Sequence, residues 1–247
     1  MYISSNLTAL AIIPGLMLIG YVYGKDKVEK EPLSLIIKLV LFGVISCLAA
    51  GELERFAATF LPKYQEGTLE YALQTSFCLA AFWEEIVKFL ALRIGSWRHP
   101  SFNYRFDGIV YGVSAAVGFA IFENVMYVSQ FGFQTAVVRA FTAVPLHAFC
   151  GAFMGVFYSH SKQHSILGNT AKSAMFTILA LLVPMLIHGI YDTFAFLRTS
   201  RATTMLMIFV VLLYITAIKT INANSLADHR AGFYPAARNI DIDVDRY

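Results

Sequence analysis

The sequence predicts an all-α fold, a polytopic transmembrane helical bundle of about seven spans, with its N-terminus outside and its C-terminus cytoplasmic. Three observations carry this reading. Of 247 residues, 57% are hydrophobic and 14% charged, against ~45–50% and ~25% in a soluble domain. The apolar residues fall in runs of about 20, the length a helix needs to cross the hydrocarbon layer, and no strand-like alternation competes. Base-rich and base-poor connections alternate along the chain. The same composition excludes a disordered chain and a disulfide-stapled secreted scaffold. A net charge of +3 gives no footprint for nucleic acid. The expected setting is a cell membrane, multi-pass, with the lipid bilayer as a partner.

The spans run over 4–24, 33–54, 72–94, 107–129, 136–159, 173–197 and 203–221. Residues 1–221 read as one transmembrane domain with a motif-bearing core at 72–197, and 222–247 as a polar cytoplasmic tail. The first span lacks a basic leader and reads as an uncleaved helix. Basic residues concentrate in the first, third and fifth loops and the tail, among them Lys25, Lys27, Lys30, Arg93, Arg98, Arg105, Lys162 and Lys172. The other loops are poorer, and the positive-inside rule sets the orientation from that contrast. Cys47, Cys78 and Cys150 sit in apolar runs without ligand spacing and read as small core residues. His160 and His164 read as solvated.

Charge inside a span costs at least ~2.5–3.5 kcal/mol and normally faces the bundle interior. Span three carries Glu84, Glu85 and Lys88. The adjacent carboxylates point ~100° apart, and Lys88 is spaced to reach either. One of them is then left free to act as a general base toward water. Which of the two faces a site is open.

Span four begins at Asp107, read as an N-cap, and repeats Gly108, Gly112, Ala116, Ala120 and Asn124 every four residues. Such a stripe allows close helix packing. Glu123 lies at its edge. Asn124 reads either as an interhelical hydrogen-bonding residue or as a donor to an oxyanion. In span five, Gly151 and Gly155 continue the face of His147, so His147 points into the bundle. Arg139 reads as an anchor at the span end or as a partner for an inner acid. Span six places His188 and Asp192 four residues apart on one face, after Pro184. Asp192 either orients the imidazole or joins it on a metal.

Glu84-Glu85 with Lys88, Phe106-Asp107-Gly108 with Tyr111-Gly112, Gly118-Phe119-Ala120 with Glu123-Asn124, His147 with Gly151 and Gly155, and His188-Gly189 with Tyr191-Asp192 follow in order over about residues 80–195. Together they resemble the PrsW family of intramembrane proteases. The wider group, similar to the CAAX-prenyl proteases and bacteriocin-processing enzymes, shares a double Glu, a later His, and a His followed four residues on by Asn or Asp.

The resemblance implies a membrane-embedded endopeptidase acting on a membrane-protein or peptide substrate, with anti-sigma-factor-like first-site cleavage in the family. It implies a catalytic set drawn from Glu84, Glu85, Lys88, Asn124, His147, His188 and Asp192. Glu85, Glu123, His147, His188 and Asp192 are its candidate ligands for Zn2+, although the H-E-x-x-H signature is absent. The alternative on the same residues is a proton- or ion-coupled transporter, since buried Glu, His and Asp also make proton relays.

Overall fold

The computed structural model describes residues 5–228 and 232–233. Its helices are α1 (Ser5–Lys25), α2 (Leu33–Ala58), α3 (Leu69–Leu73), α4 (Phe82–Ser96), α5 (Arg105–Phe131), α6 (Phe133–Phe141), α7 (Ala143–Ile166), α8 (Thr170–Leu197) and α9 (Ser200–Ala227). A π-helical segment, Gln74–Ala81, joins α3 to α4. Among the described residues the one β-type contact is an isolated bridge between Tyr104 and Gly232. Six helical stretches are long and apolar enough to cross a membrane, with α6 and α7 counted together. The seventh predicted span is the rod α3–π–α4, which carries Glu84, Glu85 and Lys88.

The glycine stripe explains the centre of the bundle. A Cβ on Gly112 would stand 2.2 Å from the Gly151 carbonyl oxygen, and one on Gly155 would stand 2.1 Å from that of Gly108. The backbones of α5 and α7 therefore touch, as a small-residue seam permits. On the next face of α5, Gly43 of α2 meets the Ala115 carbonyl, and Gly118 meets that of Val40. Helix α5 is thus clamped between α2 and α7 and is buried over most of its length. Around it, α1, α8 and α9 keep large apolar side chains outside, among them Met17, Leu186 and Ile208. That surface is unfavourable in water and suited to lipid.

Several sequence expectations shift. Asp107 is not the N-cap of α5: it lies in the first turn, where its Oδ2 accepts from Asn103 N (2.9 Å) and Tyr104 N (2.7 Å). Cys47 and Cys150 are buried, but Cys78 is exposed. His160 and His164 are half-buried and stack on Phe176 at 5.0 and 5.4 Å. Helix α9 runs to Ala227, past the predicted end at 221, and Phe233 is buried against Phe102 at 5.2 Å. Residues 234–247, with the alternating Asp241, Asp243 and Asp245, lie outside the described residues.

Candidate active site

Four helices place the intramembrane charges. Glu84, Glu85 and Lys88 lie in the first two turns of α4, directly after the π segment. π-helical geometry is rare and recurs at functional sites. Gly189 holds this segment against α8, since a Cβ there would lie 2.3 Å from the Phe77 ring. His188 is thereby brought to the α4 carboxylates, while α5 supplies Glu123 and α7 supplies His147.

The geometry is a closed network. Lys88 Nζ donates to Glu84 Oε2 (3.0 Å), Glu85 Oε1 (2.9 Å) and His147 Nδ1 (2.9 Å). It also lies 4.0 Å above the Phe119 ring centroid, a favourable seat for a desolvated ammonium. An ammonium has no lone pair, so His147 Nδ1 accepts and Nε2 carries the proton. Nε2 donates to Glu123 Oε2 at 2.9 Å. His188 Nδ1 lies 2.8 Å from Glu85 Oε1. The carboxylate can only accept, so Nδ1 holds a proton, and Nε2, which also faces carboxylates, carries one too unless a metal takes its place. Nε2 sits 3.3 Å from Asp192 Oδ2 and 3.9 Å from Glu84 Oε2. The two imidazole rings meet edge to face at 5.1 Å.

Glu84, His147, His188 and Asp192 line a cavity of 640 Å³, together with Glu54, Glu123, Tyr191 and Arg139. Glu85 does not line it and is completely buried behind Glu84. The adjacent carboxylates are thus separated as their ~100° offset requires. Lys88 binds both, so neither is left free of it as the sequence suggested; Glu84 faces the cavity, and Glu85 also braces His188.

Glu123 is held by Arg139, whose Nη2 donates at 2.5 Å, so of the two expectations for Arg139 the inner partner is what forms. Asn124 stands apart from the cavity. Its amide Nδ2 donates to Ala11 O of α1 (3.0 Å), and its Oδ1 accepts from Arg139 Nε (2.9 Å). An amide turned onto α1 is not aimed at an oxyanion, so the packing reading of Asn124 is the one its geometry fits. Glu54, Phe119 and Tyr191 also line the cavity, beyond the residues the sequence marks as candidates. Glu54 follows an apolar run and reads as a loop acid until α2 is seen to extend to Ala58.

Glu84, Glu85, His147 and His188 each offer one donor atom, all within 4.8 Å of one another. Glu123 and Asp192 fall outside that set and stand behind it on the two imidazoles. Two nitrogens and two carboxylates suit zinc by donor type. Glu85 Oε2 is buried with no hydrogen-bond partner, which adds an unspent oxygen to the set. Lys88 Nζ lies where three of the four donors converge, so a metal and this ammonium compete for the same lone pairs.

The profile described as PrsW family intramembrane metalloprotease matches residues 31–218. A Bacillus subtilis protein named Protease PrsW is 35% identical over 181 residues, 73% of this chain and 78% of its own length. A Protease PrsW of Oceanobacillus iheyensis is 33% identical over 224 residues, 90% of this chain and 98% of its own length. One of Halalkalibacterium halodurans is 30% identical over 222 residues, 90% and 98%. No solved structure matches. The matched stretch contains every side chain of the buried network, and it assigns the chemistry to peptide hydrolysis rather than ion transport: the chain belongs to the PrsW family of intramembrane proteases.

Proposed function

We propose that this protease cuts a membrane-anchored regulator of the anti-sigma-factor type, with Glu84 as the general base toward water. The observation that carries the base assignment is the division of labour within the acidic pair. Glu84 reaches the cavity, and Glu85 is sealed behind it. Its support for the substrate class is the family resemblance and the shape of the cavity. The rim includes Arg55 and Ala58 at the end of α2 and Arg198 at the end of α8. These flank the base-poor loops, so the positive-inside rule sets the mouth on the extracytoplasmic face. A single-span substrate would be cut just outside its span on that side.

In the proposed reaction Glu84 accepts a proton from water as the water oxygen attacks the scissile carbonyl. The carbon–nitrogen bond then breaks, and the Glu84 carboxyl returns the proton to the departing amine. Lys88 fixes the Glu84 carboxylate at 3.0 Å. Glu85 holds the His188 ring, and the Glu123–Arg139 pair holds the His147 ring. His147, His188 and Glu85 would hold zinc with a position left open, and Glu84 would face the water beside it. When bound, zinc supplies a Lewis acid for the carbonyl and acidifies water.

The test is cleavage in reconstituted vesicles. A single-span anti-sigma-type protein is mixed with wild-type or Glu84→Gln enzyme, and fragments are mapped by mass spectrometry. One cut outside the span, lost by about 10²–10⁴-fold in the folded variant, is the expected result. Full cleavage by Glu84→Gln would overturn the base assignment. An intact substrate with active wild-type enzyme on other membrane proteins would overturn the substrate class.

A further inference from the structure

A second group of buried acids lies at the far end of α5, about 24 Å from Glu123 by helical rise. Asp26 follows α1, Glu31 precedes α2, and Asp107 sits in the first turn of α5. They are 1%, 2% and 0% exposed. Each offers a carboxylate oxygen within 4.8 Å of the others. Asp228, at the end of α9, borders them and accepts on Oδ1 from Arg105 N and Phe106 N at 3.1 Å each.

The protein's own donors use only part of this oxygen surface. Asp107 Oδ2 takes the Asn103 and Tyr104 N–H groups, and Glu31 Oε2 takes the Tyr111 hydroxyl. Both oxygens of Asp26, Oε1 of Glu31 and Oδ1 of Asp107 are buried with no donor in full hydrogen-bond geometry from outside the cluster; the nearest groups are the Glu31 N–H beside Asp26 and the Glu31 and Asp107 carboxyls against each other. Among the described residues none of the three forms an ion pair. Lys30 spends its ammonium on the backbone carbonyls of Tyr23 (2.6 Å) and Asp26.

Buried polar atoms are rarely left unsatisfied, and buried charges are paired or bound to a metal. Four unspent carboxylate oxygens on three converging side chains are an excess of one kind. The set has no nitrogen or sulfur, unlike the Glu/His network. Oxygen-only donors within 4.8 Å of one another match the 2.0–2.6 Å bonds of a hard divalent cation.

We propose that Asp26, Glu31 and Asp107 bind a hard divalent cation, Mg2+ or Ca2+, that fastens the α1–α2 loop to the start of α5. Helix α9 is tied to the same corner by Asp228 and by Ser225 Oγ, which donates to Lys25 O at 2.6 Å. The site is structural and separate from the catalytic network, so its occupancy is read as binding and thermal stability.

The experiment uses the full chain in detergent, stripped with chelator. Thermal unfolding is followed during titration with Mg2+, Ca2+ or Zn2+, and Mn2+ occupancy is counted by loss of the free-ion paramagnetic resonance signal. Mg2+ or Ca2+ at millimolar concentration is expected to raise the wild-type midpoint. One Mn2+ per chain should be retained in His188→Ala and bound about tenfold or more weakly in Asp26→Asn and Glu31→Gln. The wild-type titration stands by itself if a variant does not fold. No midpoint shift and no Mn2+ binding in wild type would overturn the proposal. So would a folded Asp26→Asn that binds Mn2+ as tightly as wild type, or one that melts higher than wild type with no cation response. Stabilisation by Zn2+ alone, lost in His188→Ala, would likewise overturn it.

Discussion

Replacing Lys88 by Met tests whether one tethered cation holds the buried Glu/His network together. Lys88 is 1% exposed, and its ammonium serves Glu84, Glu85 and His147 at 2.9–3.0 Å. Met keeps the stem and its packing on Phe119 but strands two buried carboxylates. Breaking a buried pair by removing one partner costs about 3–5 kcal/mol. For a chain of this size that corresponds to a fall in the unfolding midpoint of about 6–20 °C, at ~2–4 °C per kcal/mol. The assay is thermal unfolding in detergent with chelator present. Zinc is then added to both proteins. Ammonium and metal compete for the same donors, so zinc should raise the midpoint of Lys88→Met more than that of wild type. A variant melting within about 2 °C of wild type in chelator would refute the argument that this ammonium balances the buried acids.

Three further outcomes follow from particular contacts. Gly112→Val drives a side chain into the Gly151 carbonyl, 2.2 Å from the new Cβ, and overpacking of this kind costs about 1–3 kcal/mol or more. Gly20→Ala, with nothing within 4 Å, should melt like wild type in the same thermal scan. Purified wild type should carry zinc near one per chain by elemental analysis, and His188→Ala should lose most of it while its circular dichroism is unchanged; equal zinc in both would remove His188 from the ligand set. In chelator, burial pushes the Asp26 carboxyl up to about 6 and the Glu31 carboxyl up to about 7. Lys30 opposes the shift at Asp26 and Tyr111 opposes it at Glu31, while neighbouring acids including Glu29 and Asp228 add to it. The folded state then binds more protons than the unfolded one, whose carboxyls titrate near 3.8 and 4.5. Stability should therefore fall as pH rises from about 4 through 7, and midpoints rising over that window would contradict the burial of these groups.

The parts of the site that the sequence reveals are those where a residue type is costly in its setting. Glu84, Glu85, Lys88, His147 and His188 stand out because each interrupts an apolar run, and a lipid-facing charge is expensive. The α5–α7 contact is legible because only glycine and alanine permit it. What stays hidden depends on tertiary partners or on backbone departures without a residue signature. The π segment that leads into the helix of Glu84 and Glu85 has no marker in QTSFCLAA. The role of Asn124 is decided by Ala11, 113 positions away. Asp26 and Glu31 sit among lysines in a short loop and look like surface charge until α5 and α9 close over them.

The two ends of α5 solve the same electrostatic problem differently. Near its C-terminal end, Glu123 is matched by the guanidinium of Arg139, and the neighbouring α4 acids by the ammonium of Lys88. Those cations are covalently part of the chain, so the network can hold its shape before substrate or metal arrives. Fixed charges of this kind are what electrostatic preorganisation consists of. At the N-terminal end, Asp107 meets Asp26 and Glu31 with backbone and hydroxyl donors, and among the described residues no cation forms an ion pair with the three. A reaction centre needs exchangeable positions around a fixed frame, whereas a corner that only joins helices can take its charge balance from the medium. Lys88→Met should therefore be rescued by zinc and not by Mg2+, and chelation should weaken the Asp26 corner without altering the His147–Glu123 contact. Measuring both responses in one protein separates the two sites. A single cation that restored both would show them to be one coupled system.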